Sequence, residues 1–151
     1  MPGPGKVCVW RAMIDRLPTR MNLTRKGVNI QDNLYPLCLK VEETIQHLLI
    51  TCEVAQKVWD YCDIWLGVSF VRHNDVVHHF GNCYIIGLGR KGNMMWKGMW
   101  VAIVYEIWKQ RNRIVFYNGR VDVQEIFTLA QLNAWTWAKF KWHRMDKSYS
   151  D

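Results

Sequence analysis

Two long runs of apolar residues at helical spacing constrain the fold of this chain more than any other feature. Their stripes are Trp96, Trp100, Ile103 and Ile107 over about residues 94–116, and Ile126, Ala130, Ala134 and Trp137 over about residues 123–142. Residues three and four apart share one face of an α-helix, so each run predicts an amphipathic helix. A short NGR turn at 118–120 separates the runs and Asp122 is a good N-cap, so the two helices are predicted to form an antiparallel hairpin.

The first 67 residues predict shorter helices separated by turns. One helix is expected at 7–16, broken before Pro18, and a second at 19–26, ended by Gly27. After a turn-rich stretch, Thr44 can start a helix, and another is expected from about Glu53 to a cap at Gly67. No β-type alternation persists beyond a few residues, so the predicted class is all-α.

The predicted organisation has three parts. A small helical module is expected at 6–67, an irregular linker at 68–93 and the helical hairpin at 94–145. Within the linker, HNDVVHHFGN (73–82) can form a short helix, and the glycine-rich basic stretch GLGRKGN (87–93) is interpreted as the boundary before the hairpin. That stretch lacks the Gly-Lys-Ser/Thr ending of a phosphate-binding loop, so we do not interpret it as one.

Composition bounds the cellular setting and the core. Half of the residues are hydrophobic and nine are tryptophans, so most of the tryptophans are expected to be buried in a core or an interface. Those of the two long helices are interpreted as core residues rather than base-stacking platforms. In the N-terminal module, that core is expected to use Trp10, Leu48, Val58 and Trp59. No apolar run reaches the roughly 18 residues of a membrane span, and the first residues do not resemble a signal peptide. An intracellular setting, cytoplasm or nucleus, is therefore expected, with no membrane association.

Charge is distributed unevenly along the chain. The net charge is +5 over residues 1–26, −4 over residues 27–66 and +6 over residues 67–151. Basic surfaces of this kind can meet the phosphates of RNA or DNA, although a basic protein can also simply be soluble. On the first long helix, Lys97, Lys109 and Arg113 are the best candidates for phosphate contacts, with Arg111 turned aside. An ordinary exposed helix surface is the alternative.

Three residues carry the spacing of a metal site: Cys38, His47 and Cys52. Zinc prefers thiolate and imidazole ligands in a tetrahedron, and a closed structural site takes four of them. On a continuous α-helix, His47 and Cys52 would lie about 140° apart around the axis, so a shared metal requires the helix to end or bend between them. The alternative is that these residues belong to the core, where cysteine is commonly buried.

Longer segments around these residues resemble a known family. They are VWRAMIDRLPTRMNLTRKGV, PLC, EETIQHLLITCEVAQKVW and WLG, between Val9 and Gly67, and the later IWKQRNRIVFYNG. In order and spacing they are similar to the reverse-transcriptase zinc-binding domain family of plant LINE-type (non-LTR) retrotransposons. That family has a Cys-x-x-Cys pair where this chain has Tyr35 and Cys38.

The resemblance implies a zinc-finger-like module with Cys38, His47 and Cys52 as metal ligands and Tyr35 at the position of the missing ligand. Asp32 or water would complete the coordination, because a phenol is a poor ligand at neutral pH. The resemblance further implies a non-catalytic module beside a reverse transcriptase domain, assisting it in holding nucleic acid. The chain can equally be a decayed fragment of such an element.

Other functions find less support in the sequence. There is no paired-aspartate motif for metal-dependent polymerisation, and Cys38 with His47 lacks a third orienting group for hydrolysis, so we do not expect an enzyme. Cys8 and Cys62 are expected in the core, and a second site built from His73, His78 or His79 with Cys83 is the weaker interpretation of that region. The alternative function is a protein-interaction or dimerisation module built on the Trp-rich hairpin, and homo-oligomerisation stays open.

Overall fold

The computed structural model describes residues 4–67, 69, 72–81 and 84–149, with side chains omitted at 145, 146, 148 and 149. The helices are α1 (Pro4–Met13), α2 (Arg20–Arg25), α3 (Glu53–Leu66), α4 (Val76–Gly81), α5 (Gly89–Tyr117) and α6 (Val123–Tyr149), with a π-helical turn at His47–Thr51. In this part of the chain, β-structure is limited to one bridge between Leu34 and Glu42. The predicted all-α class, with a small helical module before a long antiparallel hairpin, is confirmed.

The starts and ends of the short helices follow from local chemistry. The Thr19 hydroxyl accepts a hydrogen bond from Asn22 N at 3.2 Å and so caps the start of α2. Gly27, with φ of 86°, follows the end of the same helix in the left-handed conformation that glycine adopts without strain. The first helix ends at Met13 rather than at residue 16, because Asp15 takes a left-handed conformation with φ of 53°.

The hairpin of α5 and α6 is the framework on which the other helices pack. Asp122 caps α6 as expected, its carboxylate accepting from Glu125 N at 3.0 Å. Helix α5 also contacts α1 and the π-helical turn, while α3 packs on α6. One hydrophobic core therefore runs through both halves of the chain and includes Trp59, Trp100 and Ile126.

The tryptophans of α5 and of α1 differ in burial. Trp96 and Trp100 are core residues as predicted, with exposed fractions of 3% and 0%. Trp10 is not a core residue, because α1 buries the face that carries Cys8, Val9 and Ala12 and leaves Trp10 62% exposed. The buried face of α1 therefore includes Cys8, as expected, but not Trp10.

Helix α5 begins five residues earlier than the sequence predicted. The stretch 87–93 was expected to be irregular, yet it is helical from Gly89 onward. The Asn93 side chain accounts for this: it accepts from Ile85 N at 2.7 Å and donates to Ile85 O and Gly89 O at 3.0 and 2.9 Å. The first turn of α5 is therefore tied to the segment before it.

A buried ion pair connects the N-terminal part to α5. The Arg111 guanidinium donates from Nη2 and Nε to the two carboxylate oxygens of Glu43, at 2.7 and 2.9 Å, and both side chains are almost completely buried. Glu43 also accepts from Arg20 N at 2.8 Å, at the start of α2. Arg111 lies 4.9 Å from the ring centroid of Trp108, so its charged plane is covered as well as paired.

None of the helices in the described part of the chain combines the length and the hydropathy that crossing a membrane requires.

Candidate metal centre

Cys38 is brought to the site by a tight turn after Tyr35. The carbonyl of Tyr35 accepts from Cys38 N at 3.3 Å and from Leu39 N at 2.8 Å, and Tyr35 N donates to Val41 O at 2.8 Å. Leu39 has a positive φ of 58°, which reverses the chain direction. The Cys38 thiol is consequently held at the inner side of this loop and is half-buried.

His47 and Cys52 are brought together by the π-helical turn. As predicted, Thr44 starts the helical segment that leads into this turn, and its hydroxyl accepts a hydrogen bond from His47 N at 3.1 Å. Cys52 N then donates to His47 O at 2.9 Å, five residues apart, instead of the four of an α-helix. This wider winding places the two side chains on one side of the turn, and the chain becomes extended at Cys52 before α3 begins. The predicted bend between the two residues is confirmed.

The three donor atoms converge. Cys38 Sγ lies 3.3 Å from His47 Nε2, and the two sulfurs and one ring nitrogen all lie within 4.8 Å of one another. A tetrahedral zinc ion holds such donors about 3.4–3.8 Å apart, given its bond lengths of about 2.0–2.3 Å. Small side-chain movements would therefore suffice for Cys38, His47 and Cys52 to ligate one ion.

A second ring of contacts orients these donors. His47 Nδ1 lies 3.2 Å from the Thr51 hydroxyl oxygen, which fits an Nδ1–H donor and leaves the Nε2 lone pair directed at the site. Lys40 N donates to Cys38 Sγ at 3.5 Å. These contacts match the chemistry of a ligand set, because a ligating histidine ordinarily donates its other ring N–H to an oxygen.

Tyr35 stands beside the donors as a neutral phenol. Its ring is completely buried and edge-on to the His47 imidazole, with centroids 5.6 Å apart. The hydroxyl has no hydrogen-bond partner among the residues that the structure describes. Burial, followed by the neighbouring Cys52 and Glu43, holds the pKa of Tyr35 well above its usual value of 10, so the phenolate that a metal requires is disfavoured.

Burial favours the uncharged forms of Cys52 and His47. Burial raises the pKa of the Cys52 thiol to about 11, and burial also lowers the pKa of the His47 imidazole. A metal must displace protons from such thiols, so its affinity should increase with pH.

Residues 2–59 match the family model described as zinc-binding in reverse transcriptase. The match supports the assignment of this segment to the reverse transcriptase zinc-binding family. All three donors and Tyr35 lie inside it, whereas α4, α5 and α6 lie outside it. Neither a curated protein nor a solved structure matches the chain.

Asp32 is not among the converging donors of the candidate metal centre. Its carboxylate accepts from Leu34 N at 2.9 Å, two residues on, and so stabilises its own exposed loop. The group of metal-ligating side chains found in the described residues contains Cys38, His47 and Cys52 without it. A water ligand, the other candidate for the fourth position, stays a prediction.

The remaining cysteines and histidines have other surroundings. Cys8 and Cys62 are buried in the core, as predicted. His79 is buried and its Nδ1 accepts from Trp100 Nε1 at 2.7 Å, while His78 contacts Asp75 on the surface at 2.6 Å. The suggested second site also needs Cys83, which lies outside the described residues.

The candidates for phosphate contacts lie apart from one another. Lys109 pairs with the buried Glu106 at 3.2 Å, and Arg113 pairs with Glu125 at 3.1 Å. Lys97 is exposed and lies nearer the start of α5, in a groove with Arg90. Their contact with nucleic acid stays a prediction.

Sequence reasoning missed two of the contacts that support the site. Thr51 follows His47 by four residues, a spacing that indicates neighbouring side chains on a helix and was available as a signal. The pairing of Glu43 with Arg111 joins residues 68 apart, and no local pattern indicates such a contact.

Proposed function

We propose that this chain is a non-catalytic zinc-binding module of a reverse-transcriptase polyprotein from a plant LINE-type retrotransposon. The observation that carries the proposal is the convergence of Cys38, His47 and Cys52 within 4.8 Å inside the segment that matches the family model. The resemblance of the wider sequence to plant LINE-type elements supports the finer assignment.

Zinc is the metal proposed for this site, because two thiols and one imidazole match its preference for sulfur and nitrogen ligands. When bound, the ion would cross-link the loop at Cys38 to the π-helical turn and stabilise two thiolates. With Tyr35 neutral and buried, water takes the fourth position. Affinity is then lower than in a site with four protein ligands.

A structural role is proposed rather than catalysis. A nucleophilic cysteine–histidine pair uses a third group that orients the imidazole and stabilises the imidazolium. Among the described contacts, the partner of His47 Nδ1 is instead the Thr51 hydroxyl. The role proposed for the module is to help a neighbouring reverse transcriptase domain hold RNA or DNA. The net charge of +7 supports this part of the proposal.

The metal proposal can be tested with the purified chain by titration with Co²⁺ and with zinc against a chelator. We expect thiolate-to-cobalt charge-transfer absorbance and displacement of cobalt by zinc. Cys38→Ser and Cys52→Ser should abolish this absorbance, while Cys62→Ser, a buried cysteine of α3, should retain it. Absorbance that survives in either site variant, or that is lacking in the parent chain, would contradict the proposal.

A protein-interaction function has a specific observation in its favour. The outer side of α6 carries three large apolar side chains, Leu132, Trp135 and Phe140, with exposed fractions of 59%, 45% and 62%. Such an apolar stripe on a helix can pack against another protein or a second copy. A mass that rises with concentration, and that falls to the monomer value in Leu132→Lys, would support this function; one constant mass would exclude self-association.

A further inference from the structure

A groove of about 580 Å³ lies between the first turns of α5 and the later part of α6. We call it the basic groove and define it by six of its lining residues: Tyr84, Arg90, Asn93, Lys97, Trp137 and Lys141. Arg90 and Lys97 lie seven residues apart on α5, and Trp137 and Lys141 lie four apart on α6, so each pair projects from one face of its helix. The groove lies outside the segment that matches the family model.

The positive charges of the basic groove are not neutralised by acidic side chains among its described lining residues. Arg90, Lys97 and Lys141 all line it, and the lining residues that the structure describes include no acidic side chain. None of these three cations forms an ion pair with a described residue. Three positive charges that share a concave surface create a site for an anion.

A larger groove of about 770 Å³ beside α1 differs in this respect. It also contains arginines, but Arg111 is paired with Glu43, and Arg20 donates to the carbonyl oxygens of Asp32 and Leu34. The Asp32 side chain lies in that groove as well. Of its three arginines, Arg11 alone has no side-chain ion pair or hydrogen bond with a described residue, so the larger groove does not offer the cluster of three unpaired cations found in the basic groove.

Aromatic rings accompany the cations of the basic groove. Trp137 lies directly against Gly98, since a Cβ added to that glycine would come within 2.5 Å of the ring. The absence of a side chain at Gly98 thus lets the indole ring pack directly against α5. Lys141 Nζ is 5.9 Å from the Trp137 ring centroid, and Tyr84 is 65% exposed at the opposite side of the lining.

The groove is pre-organised by Asn93. This side chain is only 5% exposed and makes three hydrogen bonds, to both backbone groups of Ile85 and to Gly89 O. It therefore holds the segment that carries Tyr84 against the first turn of α5. The N-terminal N–H groups of α5 have no side-chain cap at Leu88, and they add a partial positive charge at the same end.

We propose that the basic groove binds single-stranded RNA or DNA. Phosphates contact Arg90, Lys97 and Lys141, and unpaired bases pack on Tyr84 and Trp137. Cations that follow a backbone, together with aromatic side chains that stack bases, are the two parts of a single-strand binding surface. Stacking requires a free base face, which a duplex does not offer. This inference rests on the proposed role in holding nucleic acid and assigns that role to a surface outside the metal centre.

The test measures the affinity of the chain by fluorescence anisotropy over a series of salt concentrations. The labelled probes are a single-stranded RNA 12-mer, the matching single-stranded DNA, a duplex of the same sequence and a poly-glutamate peptide. We expect the full chain to bind both single strands more tightly than the duplex and the peptide. In Arg90→Gln/Lys97→Gln/Lys141→Gln, affinity should fall at least tenfold, and the salt slope should decrease by about 2, since each lost phosphate contact contributes about 0.7 for single strands.

A charge-matched control separates the groove from net charge. Lys6→Gln/Lys26→Gln/Arg120→Gln removes the same three charges from exposed positions elsewhere and should change affinity by less than about threefold. Tyr84→Ser should weaken single-strand binding about tenfold with an unchanged salt slope, because stacking does not release counterions. Circular dichroism should show the same helicity for all variants, whose substitutions lie at the surface.

Each outcome has a definite meaning. If the parent chain binds no single strand, both the proposed role in holding nucleic acid and the groove inference are wrong. If it binds but the groove variant and the control lose the same affinity, only the groove inference is wrong. Equal binding of duplex, or tighter binding of poly-glutamate than of RNA and DNA, would also overturn the inference. Loss confined to the groove variant and to Tyr84→Ser supports it.

Discussion

Helix α5 carries Arg90 in its first turn and Arg111 near its other end, about 31 Å away along the axis, and the two guanidinium groups lie in opposite surroundings. Arg111 is buried, paired with both oxygens of Glu43 and covered by Trp108. Arg90 is exposed, and it lines a groove with two other cations and with no acidic side chain among the described lining residues.

The two ends of α5 therefore contribute differently to stability and to ligand binding. At the buried end, the ion pair between Arg111 and Glu43 joins α5 to the segment that leads into the candidate metal centre. Removing one of the two residues leaves the charge of the other buried without compensation. At the open end, charge makes little contribution to the fold, since exposed side chains are already solvated. Stability should therefore respond to changes at the first end and ligand binding to changes at the second.

The largest effect is expected from Arg111→Ala, which leaves the Glu43 carboxylate buried and unpaired. We expect the free energy of unfolding to fall by about 3–5 kcal/mol, measured by urea denaturation. The control is Arg113→Ala on the same helix, whose ion pair with Glu125 is partly exposed and should cost less than about 1 kcal/mol. Equal losses in the two variants would remove the distinction between buried and exposed charges.

The next effect concerns the missing ligand. Tyr35→Cys should add a third thiol and tighten zinc binding. At a fixed zinc concentration one hundred times the Kd of this variant, zinc would stabilise it by about 2.7 kcal/mol over its own metal-free form, and it would stabilise a weaker-binding control by less. Tyr35→Ala is the matched control, because it opens a similar cavity without a ligand. Thermal melting with and without zinc measures both. The same zinc-dependent gain in the two variants would contradict the placement of residue 35 at the position of the missing ligand.

Between the two ends of α5, Trp100 donates to the buried His79, and acid should break this contact. Burial lowers the pKa of His79 to about 4, with Arg72 and His73 adding to the effect, whereas the unfolded value is about 6.5. The unfolded chain thus binds a proton first, so stability is retained above pH 6.5 and lost as pH falls toward 4.

We expect His79 to contribute roughly 2 kcal/mol to that loss between pH 7 and pH 4. The measurement is denaturant unfolding as a function of pH for the parent chain and for His79→Gln, which cannot titrate. A parallel pH dependence in the two proteins would show that other groups account for the acid sensitivity.

The smallest effect is expected at the open end. Asn93→Ala removes three hydrogen bonds to partly exposed backbone groups, and we expect a loss of about 1.5 kcal/mol in urea. Hydrogen exchange should increase at Ile85 and in the first turn of α5, while the metal-centre residues keep their protection. Faster exchange at both ends would mean that they unfold together rather than separately.

Helical periodicity was enough to predict the hairpin, because burial of one face imposes the spacing seen at Trp96, Trp100 and Ile103. It was not enough for the start of α5, where glycines obscured the pattern and the Asn93 contacts with Ile85 decided the outcome. Trp10 shows a similar limit: its helix was predicted, but the face that packs on α5 depends on tertiary contacts.

For the candidate site, spacing and ligand chemistry singled out Cys38, His47 and Cys52, and the family resemblance implied them as ligands before their positions were known. Asp32 was wrongly offered as a fourth ligand because sequence proximity does not reveal which backbone group a carboxylate will accept from. Arg111 was correctly separated from its basic neighbours, but its partner Glu43 could not be identified, since their contact joins residues 68 apart.

The π-helical turn has a consequence for how this segment tolerates change in length. Deleting one residue among Leu48, Leu49 and Ile50 would place the imidazole and the Cys52 thiol four residues apart, and an ordinary α-helix also brings residues four apart to one face. Inserting one residue would instead place them six apart, about 120° around an α-helix. An insertion that leaves every ligand in the gene would then abolish the site as completely as mutating one, and homologous segments with a lengthened turn should be free to lose their cysteines.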